Sequence, residues 1–205
     1  MNIEKLKLAE AHFLQFYPGG FQHPDMQRIA KKHPIERLAE QTRVLLAEDA
    51  FVNQGQVLES IVKLVSRSSM VSMFEKPKFR DFVNGLGRDD RSRLAQAVKE
   101  MLHGDQVQGF EALTQVLLEG RIAKWSLVSI LMLYSNPTVE VFVKPTTAKA
   151  IIVYLELTDL TYRPRPSWEF YAGYRQAINT LKLRVDPSLS PSNAAFTGFL
   201  MMSVL

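Results

Sequence analysis

Seven residues between 144 and 175 have the chemistry to act together: Lys144, Lys149, Arg163, Arg165 and Arg175 are cations, and Trp168 and Tyr171 are aromatics three positions apart. They flank the proline-stiffened run Arg163-Pro164-Arg165-Pro166. Cations attract phosphates and aromatic faces stack on bases, so the combination suits phosphate contact with base stacking. The same residues admit a plainer reading, in which Trp168 and Tyr171 belong to the core and the cations solvate the edges of their helix. A second basic stretch, Lys76, Lys78, Arg80, Arg88, Arg91 and Arg93, would extend a positive surface if the fold brought it to the same groove. Asp89 and Asp90 would compensate part of that charge locally.

Other chemistries find little support. The absence of cysteine removes disulfides, thiolate zinc sites, iron–sulfur clusters and cysteine nucleophiles. His12, His23, His33 and His103 include no pair four apart on a helix, so no metal site is expected. Gly85-Leu86-Gly87 lacks the third glycine of a dinucleotide fingerprint and follows a predicted helix rather than a strand. Neither a phosphate-binding loop nor a nucleophile elbow occurs, and no cofactor is expected. The adjacent acids Glu48-Asp49 and Asp89-Asp90 point in diverging directions on a helix, which suits capping better than a facing carboxyl pair.

The elements that would position these residues are helices. Ile3, Leu6, Phe13 and Phe16 share one side of a first helix, which Tyr17-Pro18-Gly19-Gly20 stops with a type II turn. Further helices are predicted over Pro34 to Glu48, Gln56 to Ser66, Lys78 to Asn84, and from an Asp89 or Asp90 cap to His103, where Gly104 ends the helix in a left-handed conformation. Val107 to Glu119 follows. Ala123 to Tyr134 has no solvent face and is the predicted central helix. Val139 to Val143 is the one strand candidate, or equally an extended connection. Pro145 opens a helix to Tyr154, and Ser167 caps one along which Trp168, Tyr171, Tyr174, Ile178, Leu181 and Val185 recur every three or four residues. The last helix begins near Pro191 and is apolar through Phe196, Phe199, Leu200 and Met201, which could form a contact surface for a protein partner or a second copy.

Hydrophobic residues make up 46% of the 205 and charged residues 22%, enough to build a core and against general disorder. The formal charge is +4, and the excess is concentrated in the stretches 63–99 and 144–184. The segment Met1 to Lys7 mixes charged and apolar residues and lacks the apolar run of a signal peptide. Trp125 to Tyr134 and Ala194 to Leu205 are too short to span a bilayer, so no membrane partner is expected.

Phe16-Tyr17-Pro18-Gly19-Gly20-Phe21, Lys124-Trp125-Ser126-Leu127-Val128 and Val141-Phe142-Val143-Lys144-Pro145-Thr146 together resemble a family of uncharacterised bacterial proteins of similar length. That resemblance implies a bacterial cytoplasmic setting and no particular activity. The whole chain, residues 1–205, reads as one all-α or nearly all-α domain of eight to ten helices around the 123–134 segment. A non-catalytic nucleic-acid-binding or nucleic-acid-associated protein ranks first, a protein-interaction or oligomerisation module second, and an enzyme with a dispersed site third.

Overall fold

A helix without a polar side must be covered all round. In the computed structural model, which describes residues 1–204, every residue from Trp125 to Tyr134 is buried within one helix. The chain builds α1 (Ile3–Phe16), α2 (Pro24–Lys32), α3 (Ile35–Leu45), α4 (Gln54–Arg67), α5 (Glu75–Gly85) and α6 (Arg88–His103). It continues with α7 (Gln106–Glu119), α8 (Trp125–Ser135), α9 (Pro145–Tyr154), α10 (Trp168–Lys182) and α11 (Asn193–Val204). The fold is all-α, with no strand among the described residues.

Helices α3, α4, α6 and α7 pack on α8, while α1, α9 and α10 gather on α11. One buried apolar cluster runs through both groups, from Leu6 to Leu200. The C-terminal helix is therefore a second interior element. Phe196, Phe199 and Leu200 are fully buried and Met201 partly so, which corrects the expectation of an apolar contact surface there. Leu205, the end of that apolar run, lies outside the described residues.

Local chemistry accounts for the boundaries. Gly20 N–H donates to the Tyr17 carbonyl at 2.9 Å and Gly19 has φ +80°, the backbone of the expected type II turn. Ser167 Oγ accepts the Phe170 N–H and so caps α10. Gly87, not Asp89 or Asp90, occupies the cap of α6, and both acids lie in its first turn, where they favour the helix dipole. Gly104 ends α6 with φ −125°, so no left-handed cap forms there. The inner side of α1 consists of Leu6, Ala9, Glu10 and Phe13, whereas Ile3 and Phe16 are exposed. Helix α2 is the one element that the apolar pattern did not announce, because Met26 is its sole buried residue.

Val139 to Val143 forms no strand: Val139 closes a turn on Asn136 and an irregular connection follows. The Val139 and Glu140 N–H groups donate to the Asn136 carbonyl at 3.1 and 2.8 Å, and further on side chains take the place of a sheet ladder: Val141 N–H donates to the Tyr171 hydroxyl at 3.3 Å and Val143 N–H to Ser129 Oγ at 3.0 Å.

Candidate functional site

Glu140 is the acid of this connection, with Val139 before it and Val141-Phe142-Val143 after it. It is 5% exposed because the three residues that follow it are drawn into the core. A buried carboxylate requires partners, and four hydrogen bonds supply them. Tyr171 donates its hydroxyl to Oε2 at 2.7 Å, Arg175 Nη1 donates to Oε1 at 2.8 Å and to Oε2 at 3.0 Å, and Gln106 Nε2 donates to Oε1 at 3.1 Å. Gln106 Oε1 accepts a further bond from Arg175 at 2.8 Å. The Arg175 guanidinium also lies over the Trp168 ring at 5.2 Å and the Tyr171 ring at 5.7 Å.

Trp168, Tyr171 and Arg175 are thus brought together, but around an internal carboxylate. Tyr171 is fully buried and Arg175 is paired, so neither offers a free face or charge to a nucleic acid. Burial first, and the Glu140 charge second, push the Tyr171 hydroxyl well above its ordinary pKa and keep it a donor.

A cleft of about 370 Å³ opens beside this network, lined by Thr42, Arg43, Leu46, His103, Gln106 and Glu140 among others. Its polar groups are largely engaged within the protein. The Thr42 hydroxyl donates to the Leu38 carbonyl at 2.8 Å, His103 Nε2 lies 2.7 Å from the Leu46 carbonyl oxygen, and the Glu140 carboxylate is saturated.

Two of the segments that carry the remaining cations are tied to the start of α8. Trp125 Nε1 donates to the Arg163 carbonyl at 2.8 Å, and the hydroxyl of the next residue, Ser126, donates to Glu75 Oε2 at 2.7 Å. The backbone at residue 163 and the start of α5 therefore both contact the first turn of α8. Each carries its own basic stretch. A Cβ built on Gly120 would strike the Phe82 ring, so the connection 121–124 begins against α5.

This end of the molecule presents Lys78, Arg121, Lys124, Arg163 and Arg165 in exposed positions, with Lys76 half-buried. None of the six forms an ion pair among the described residues. Lys149 lies 5.6 Å from the centre of the Tyr162 ring, which packs on Phe170 and through it on Trp125. Lys144 is exposed at the cap of α9. Part of the other basic stretch is spent internally: Arg80 pairs with Asp81, Arg93 with Asp90 and Glu119, and Arg91 donates to the Val83 carbonyl.

Sequence reasoning missed Arg121 and Lys124, which lie outside both basic stretches. Arg121 has φ +56° at the end of α7, where Ile122 N–H reaches back to the Leu117 carbonyl at 2.9 Å. Glycine is the usual occupant of such a left-handed helix end, and nothing in the local sequence forecasts arginine there.

Among the described residues, no three acidic or histidine side chains gather in a way that could hold a metal ion. No described helix is long and apolar enough to cross a membrane. No family model, curated protein or solved structure matches the chain.

Proposed function

We propose that the protein is a non-catalytic nucleic-acid-binding protein whose interface is the basic end at the start of α8. The observation that carries this reading is the pair of hydrogen bonds from consecutive residues, Trp125 to the Arg163 carbonyl and Ser126 to Glu75, which draws two basic stretches distant in sequence to one helical turn. Unpaired, exposed cations displace condensed counterions from phosphates, whereas cations already bound to carboxylates contribute little. The motif resemblance is the ground for proposing the bacterial cytoplasm as its setting.

Fluorescence anisotropy with labelled oligonucleotides tests the interface. Replacing Arg163 and Arg165 together with alanine, and separately Lys76 and Lys78, weakens binding in both cases and lowers the salt slope by about one for each phosphate contact removed, with helical content unchanged. If either double variant binds like the wild type, that half of the interface is wrong.

A further inference from the structure

Resting on that reading, we propose that Met73 and Phe74 make the interface selective for single-stranded nucleic acid, with Phe74 stacking on an unpaired base beside the cations of α5 and the start of α8. Both side chains are 74% exposed. They are not on a loose loop. Ser72-Met73-Phe74-Glu75 has the Ser-x-x-Glu form of a helix-initiating capping box. Ser72 Oγ accepts the Phe74 N–H at 3.2 Å, and Glu75 Oε2 accepts the Ser72 N–H at 3.4 Å. The Ser72 carbonyl accepts the N–H groups of Glu75 and Lys76 at 3.0 and 3.2 Å. The same Glu75 oxygen accepts the Ser126 hydroxyl, so the turn is fastened to the first turn of α8.

A fixed turn that holds two large apolar side chains in water, next to unpaired cations, has the composition of a stacking platform. Phe74 makes no aromatic contact among the described residues, whereas Trp125, Phe170 and Tyr171 are consumed by the core. Phe16 is the other largely exposed phenylalanine, but its ring packs on His12 and it stands on α1, which packs on α11. In a duplex the base faces are covered by their neighbours, so a projecting ring there bears the cost of unstacking them, whereas unpaired bases offer a free face. An apolar pair beside lysines also has the composition to enter an anionic membrane surface. The strand is favoured because a phosphate backbone can engage exposed cations on several segments, and Lys78 on α5, Lys124 before α8, and Arg163 and Arg165 form no ion pair among the described residues.

The test measures binding of the full chain, as wild type, Phe74→Ala and Phe74→Trp, to a labelled oligothymidylate and to a labelled duplex of equal length. The wild type binds the single strand more tightly. Phe74→Ala loses about five- to a hundredfold of single-strand affinity with duplex affinity unchanged, and Phe74→Trp retains the preference. Equal losses on both oligonucleotides, or no loss on the single strand, overturn the stacking role while leaving the basic interface standing. Binding to phosphatidylserine vesicles, lost in Phe74→Ala, without binding to either oligonucleotide overturns both readings in favour of a membrane surface. Binding to none of the three probes overturns both outright.

Discussion

A carboxylate in Glu140's position, 5% exposed and followed by three buried apolar residues, is tolerable only while its partners stay in place. Arg175 and Glu140 have side-chain exposures of 21% and 7%, so removing one leaves the other charged in a poorly hydrated place. Glu140→Ala is accordingly expected to cost about 3–5 kcal/mol, read as a lower urea midpoint at unchanged slope. A loss below about 1 kcal/mol, the range of a surface pair, contradicts that role. The spacing of Trp168 and Tyr171 was enough to place them on the apolar stripe of one helix, but not to say what Arg175 beside them pairs with. That partner is Glu140, 31 residues before Tyr171 and on a different segment, where a lone acid among apolar neighbours carried no motif.

Helices were legible wherever one side had to be buried and another did not. Trp125 to Tyr134 was legible for the opposite reason, because a segment with no polar side can only be interior. Helix α2 buries Met26 alone and so left no stripe to read. The apolar C-terminal helix has the composition of either a partner surface or a second interior helix, and only the packing of α1, α9 and α10 around it decides for the interior. The close pairing of α6 and α7 rests on Gly109: a Cβ there would overlap the backbone of Met101 and Glu100. Two effects oppose each other in Gly109→Ala. Helix propensity favours alanine by about 0.8–1 kcal/mol, while forcing two helix backbones apart costs about 1–3 kcal/mol. The steric term wins, and thermal unfolding is expected at a lower temperature than in the wild type. A variant at least as stable as the wild type contradicts the tight contact.

At the scale of the whole molecule, a formal charge of +4 is modest, and its placement matters more than its size. Arg93, Arg80 and Arg175 are neutralised by nearby carboxylates, whereas Lys76, Lys78, Lys124, Arg163 and Arg165 form no ion pair among the described residues. The two bonds that tie Arg163 and the start of α5 to the first turn of α8 span 38 and 51 residues, distances over which local patterning carries no information. The most direct measurement is the affinity of the wild-type chain for a labelled single strand as salt is raised from low to physiological concentration. With about five phosphates neutralised, log K falls against log salt with a slope of about −3 to −4. No binding at low salt, or binding that salt does not weaken, contradicts a nucleic-acid interface at the basic end of the molecule.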